Sequence, residues 1–166
     1  MGKVQDAFGN GRPGVITRSV DDIVISIRNA SEGDIPFGAP VFLSDYGAVP
    51  FDTAAPQEFE TFLGFAVRVA DKTPDEYPRG QFNDPPEGAW HAGDVMEVLV
   101  RGGTAVPVIV AGYRGGKLYI RKSDGRLTAS AGAAGSTILL ENVRVRNPRN
   151  GYSACCEAIV NKRNIL

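Results

Sequence analysis

Apolar and polar side chains alternate with a period of two along most of this chain, and that spacing predicts strands. In 95–101, Val95, Glu97, Leu99 and Arg101 point one way while Met96, Val98 and Val100 point the other. Gly102 and Gly103 are then expected to reverse the chain, so that 104–110 returns as a second strand. Its Pro107 suits an edge strand or a bulge better than a central ladder. Ile23, Ile25 and Ile27 alternate with Val24, Ser26 and Arg28, and residues 15–17 and 39–43 are shorter candidates. In 62–69, Leu63, Phe65, Val67 and Val69 share one face, opposite Phe62, Gly64, Ala66 and Arg68. Further on, 117–121 and 126–129 flank Ser123-Asp124-Gly125, and Asp-Gly between β-prone runs signals a hairpin. Leu139, Val143 and Val145 oppose Asn142, Arg144 and Arg146, and 156–162 make a last strand.

Twenty glycines and eleven prolines among 166 residues punctuate these runs and leave no room for a long helix. The helical candidates, 54–60 and 129–136, are short enough to be turns. The pattern therefore predicts an all-β fold, a compact sandwich or small barrel of about nine short strands with an extended N-terminal arm. The length suits one core, so the expected division is an arm over 1–14 and a single β domain over 15–166.

Charge and chemistry narrow the function. Eighteen basic and nineteen acidic side chains give a net charge of -1, which predicts neither a nucleic-acid nor a membrane partner. No apolar run approaches the roughly 20 residues of a membrane helix, and the N-terminus lacks the apolar stretch of a secretion signal, so a cytoplasmic origin is expected. Cys155 and Cys156 are adjacent and would face opposite sides of a strand, which fits two reduced, packed thiols better than a metal site or a vicinal disulfide. His91 is the one histidine, with no second metal-ligating residue at a useful spacing. The glycine-rich stretches 9–11 and 112–116 lack the strand-to-helix setting of a phosphate cradle and read as turns. There is no G-x-S-x-G elbow, and Asp34, Asp45 and Asp52 are too scattered for a calcium loop. No catalytic residue, cofactor or metal ligand is assigned.

Two segments do not read as scaffold. Residues 2–14 hold four glycines and a proline around one large apolar side chain, Phe8, and have little to bury by themselves. Residues 71–93 are long for a connection and carry Tyr77, Phe82 and Trp90 among five acidic residues and four prolines. Those rings either fold back onto their own domain or anchor a protein partner. A sugar-stacking role would make the chain a carbohydrate- or receptor-binding module, and a small enzyme is a more remote alternative. The candidate partner-binding residues are thus Phe8, Arg12, Pro13, Tyr77, Phe82 and Trp90.

Four stretches together resemble the tailed-bacteriophage capsid cement proteins, also called structural cement or head decoration proteins. They are Phe8-Gly9 with Arg12-Pro13-Gly14, the run Phe37-Gly38-Ala39-Pro40-Val41, the strand from Phe62 to Arg68, and Gly93-Asp94-Val95-Met96-Glu97-Val98. The resemblance implies an all-β body with an N-terminal arm, often trimeric, attached to the major capsid protein on the outside of the capsid lattice. It also implies a virion component assembled in the host cytoplasm, with no catalysis.

Overall fold

The computed structural model describes residues 11–17, 21–69, 88–149 and 154–164. Within them lie the strands β1 (Ile23–Arg28), β2 (Ile35–Pro36), β3 (Pro40–Ser44), β4 (Gly47–Pro50), β5 (Phe62–Ala66) and β6 (Ala89–Trp90). The chain continues through β7 (Val95–Pro107), β8 (Lys117–Arg121), β9 (Leu127–Thr128), β10 (Thr137–Asn147) and β11 (Cys155–Val160). One curled sheet runs β4-β3-β5-β7-β11-β10-β8-β9, with β1 also on β7, and β2 pairs with β6 apart from it. The result is a nearly all-β half-barrel, in the expected fold class.

β7 is the spine, and it corrects one expectation. Gly102 and Gly103 do not reverse the chain; the strand runs on through them for 13 residues. Its first half pairs with β1 and β5, its second with β11. The glycines serve a close approach instead. A Cβ at Gly102, whose φ is +118°, would lie 1.9 Å from Asp22 Oδ1, and one at Gly103 would lie 2.3 Å from Thr17 Oγ1. Missing side chains thus let the segment leading into β1 lie against the strand. Pro107 is the last residue of this central strand, opposite Cys155, where the ladder is ending.

Bulges correct two face assignments. Between Val41 and Phe42 the β3–β5 register shifts, which brings Phe62 and Phe65 into the same core with ring centroids 5.4 Å apart. Leu63 goes with Ala66 into a second core. All five residues of β5 are therefore buried, not one face of it. In β10 a shift between Leu140 and Arg144 aligns buried Ile138 and Leu140 with Val143 and Val145, leaving Leu139 only half-buried. One inserted residue inverts every later side chain, so strict alternation fails beyond each bulge.

Two cores result. Phe42, Phe62 and Phe65 meet Leu118, Leu140 and Val145 in the first, and Phe37, Trp90, Met96 and Val98 pack in the second. Each buried large side chain contributes about 1.5–3 kcal/mol. The candidate helix at 54–60 is a loop ending in one 3-10 turn, Phe59–Thr61, and 129–136 is turns, pinned by Ser136 Oγ donating to Ala133 O at 2.7 Å. The Asp124-Gly125 hairpin forms as expected, pairing Ile120 with Leu127. Residues 15–17 make a single bridge, Ile16 to Thr104, in place of a strand. Both cysteines are free and buried, and burial, then the neighbouring Cys155, pushes the Cys156 thiol up to about 12.

Candidate functional site

Arg12-Pro13-Gly14 and Phe37-Gly38, far apart in sequence, meet at one place. Gly14 N donates to Ala105 O on β7 at 2.8 Å, and Gly14 O accepts from Arg68 N at 2.8 Å. The segment is held between the spine and the chain just past β5. Side chains there would be excluded: a Cβ on Gly14, at φ +77°, would sit 2.8 Å from Ala66 O and 2.9 Å from Gly38 N. The reciprocal Cβ on Gly38 would meet Gly14 N at 2.9 Å and Pro13 at 3.1 Å. Arg68 completes the clasp, with Nε donating to Pro13 O at 3.0 Å and the guanidinium 4.9 Å from the Phe37 ring centre. Pro13 and Gly14 are buried and Arg12 is exposed. Beside the clasp an apolar notch of about 170 Å³ opens between Pro36, Phe37, Pro40, Pro107 and Leu127.

A second construction fixes one end of the molecule. Asn29 is fully buried where β1 ends, and its Nδ2 donates to Gly33 O at 3.0 Å, Trp90 O at 3.2 Å and His91 O at 3.0 Å. Its Oδ1 accepts from Ser31 N at 3.0 Å and Ser31 Oγ at 2.7 Å. Backbone bonds from Asn29 N to Asp94 O at 2.7 Å and from Ala30 N to Ala48 O at 2.8 Å bring the β3–β4 and β6–β7 loops to the same point. A buried polar group is tolerated because its hydrogen-bonding groups are met. The sequence signal was Asn29-Ala30-Ser31-Glu32-Gly33, turn chemistry directly after a strand. His91 lies here, its exposed Nδ1 3.0 Å from Asp34 Oδ1.

The candidate residues fare differently. Trp90 is turned inward, 5% exposed, edge-on to Phe37 and donating Nε1–H to Val67 O at 2.9 Å. Of the two roles left open for it, packing on its own domain is the one the structure has, and its ring is not available for stacking on a sugar. Pro13 is spent on the clasp, whereas Arg12 faces outward. Phe8, Tyr77 and Phe82 lie outside the described residues. Among the described residues the exposed rings are Tyr46, at 86%, and Tyr113, at 73%, which the strand pattern passed over because both sit at turns. Among the described residues no group of three His, Cys, Asp or Glu could hold a metal ion.

The described residues thus form a half-barrel with a glycine clasp at Gly14 and Gly38 and exposed rings at Tyr46 and Tyr113. The sequence profile of a family described as structural cement protein (E217 gp24/Pam3 gp6) matches residues 2–157, and the chain belongs to that family of phage structural proteins. Among solved structures, a chain from "The capsid of Myoviridae Phage XM1" aligns with a TM-score of 0.70 at 17% identity, over 98% of this chain and 96% of that one. At that identity the likeness establishes the fold. No curated protein matches.

Proposed function

We propose that this cement protein attaches to the major capsid protein on the outer surface of a phage head and stabilises the expanded lattice. A ligand that binds one state and not another shifts the balance toward the bound state by mass action, so no reaction is needed and none is assigned. The observation that carries this reading is the clasp. It anchors the chain at Gly14 to β7 and to the segment just past β5, so a pull on the preceding residues is delivered to the spine of the sheet. The residues before Gly11 supply the contact with the shell, Phe8 among them, and exposed Arg12 stands at its base. Several copies gather at each site, three around a local threefold, so individually modest contacts add through effective concentration. Assembly takes place in the host cytoplasm, where the buried cysteines stay reduced.

The test is deletion of residues 1–10, which stops short of the clasp. The shortened chain should keep the melting temperature of the full chain yet attach to expanded heads at least about tenfold more weakly. Equal occupancy of heads by both forms, measured by electron microscopy, removes the arm from the mechanism.

A further inference from the structure

The near-zero net charge conceals a division. Residues 1–107 carry sixteen Asp and Glu against eight Lys and Arg, while residues 108–166 carry three against ten. The second group contains β8 to β11, which lie together at one side of the sheet, so among the described residues the basic excess is spatial as well. On the basic side Lys117 of β8 is the register partner of Arg144 of β10. Like charges directly opposite one another cost a free sheet stability. Arg114 adds to them, with Nε donating to Arg146 O at 3.2 Å, and Arg114, Lys117 and Arg146 are exposed. Glu157, 3.6 Å from Arg146, is buried and already hydrogen-bonded to Asn147. Arg144 is half-buried, its Nη1 donating to Glu141 O at 2.9 Å and Val143 O at 2.7 Å, so the outward positive charge comes from Arg114, Lys117 and Arg146 beside it.

At the end fixed by Asn29 the charge is reversed. Glu32, Asp34 and Asp45 are exposed on the loops at this end, Asp34 3.0 Å from His91 Nδ1, and Tyr46, next to Asp45 in the chain, shares a cleft with Arg28, Ser31 and Gly93. The loops bearing these groups are tied to a fully buried amide, so docking them costs little ordering entropy.

We infer that the acidic crown around Tyr46 in one copy docks on the Arg114–Lys117–Arg144–Arg146 stripe of the next copy, head to tail. Carboxylates relieve the like-charge pair on β8 and β10, and the Tyr46 ring is placed to stack on a guanidinium. Because the two patches differ, the contact is heterologous, and repeated contacts of that kind close into a ring when the rotation permits. The inference gives surfaces to the self-association proposed above and rests on it, but it is tested without heads.

The experiment is sedimentation velocity on the full chain at roughly 0.05 M and roughly 0.5 M salt, which brackets strong screening. The wild-type dissociation constant should rise at least about tenfold across that range. A stripe-reversed variant, Lys117→Glu with Arg144→Glu, and a crown-reversed variant, Glu32→Lys with Asp34→Lys and Asp45→Lys, should each lose association at low salt. Mixing the two should restore pairwise association, since each supplies the patch the other lacks, although two alternating variants do not close a ring of three. A third variant, Lys117→Gln, leaves the Arg144 hydrogen bonds in place and separates folding from docking: it should keep or raise the melting temperature and lower association. A monomer at low salt, salt-independent assembly, variants that assemble like wild type, or folded variants that fail to recombine would each overturn the inference. So would stripe variants that assemble normally but lose attachment to heads, which assigns the stripe to an acidic shell surface. Loss of head attachment by wild type with assembly intact would strike the proposed function alone.

Discussion

The half of the sheet built from β8 to β11 is joined largely between chain neighbours: β8 turns into β9 across Asp124-Gly125, and β10 pairs with β11. The half built from β1 to β5 has a local hairpin of its own, β3 with β4, but is tied to the rest across long separations, as in the Asn29 bond to Trp90 61 residues away and the Gly14 bond to Ala105. The first kind of order is encoded in adjacent turn chemistry, while the second depends on glycines and one buried amide that make no pattern of their own. The contrast teaches where a fastener places its rigid parts. Its local hairpins supply a wall, and its long-range ties hold the Asn29 end and the Gly14 clasp in place.

Breaking the spine between the halves should have the largest effect. Gly102→Val places a branched side chain where Asp22 already lies and forces φ away from +118°, so we expect loss of cooperative folding or at least about 3 kcal/mol in denaturant. A near-wild-type midpoint would show that the segment over β7 can move aside.

Next comes Asn29→Ala, which strands the buried carbonyl of Trp90 and its neighbours and should cost about 1–3 kcal/mol. Amide exchange should accelerate at 91–94 and stay unchanged along β8 and β10. Uniform acceleration would mean the two halves are a single cooperative unit with no local tie.

A smaller effect sharpens the wall's side of the comparison. The Cys156 thiol, raised to about 12, stays neutral in the fold while an unfolded thiol ionises near ~8.5, so the unfolded chain releases its proton first. Stability should thus be fully present below ~8.5 and decline as pH rises toward 12, and Cys156→Ala should flatten that alkaline slope. In the folded protein neither buried thiol should react with an alkylating reagent at neutral pH; rapid labelling would contradict the packing of β11 on β7.

The smallest change is Asp124→Asn in the hairpin. The hydrogen bond from Arg121 holds the Asp124 carboxyl below the usual carboxylate range, so its contribution is present at neutral pH and is lost as pH falls through that lowered value. Both groups are largely solvent-facing, so the shift in melting temperature should be slight and should vanish in acid. A large shift would promote this turn from a local feature to a support of the core.

The parts of the fold legible in the residues follow that contrast. The bounds of β1 and β8, the Asp-Gly hairpin and the alternation of Met96, Val98 and Val100 were all readable, because each depends on a side chain's relation to its immediate neighbours. β4, with Gly47-Ala48-Val49-Pro50, carried too little pattern to announce itself and is a strand because β3 lies beside it. In the candidate site, Arg12-Pro13-Gly14 and Phe37-Gly38 were marked as two separate stretches; their meeting was not readable. The role of Tyr46 was missed, since an isolated ring in a turn has no periodicity.

Composition and alternation alone determined that this chain is a β protein punctuated by glycine and proline, with strands over β1 and β8. Tertiary structure alone decided that Gly102 and Gly103 are points of contact rather than a turn, that Trp90 faces inward, and that Gly14 meets Gly38. The reason is that strand formation is governed by neighbours two residues apart, whereas excluded volume between Gly14 and Gly38, or between Gly102 and Asp22, exists only once distant segments touch.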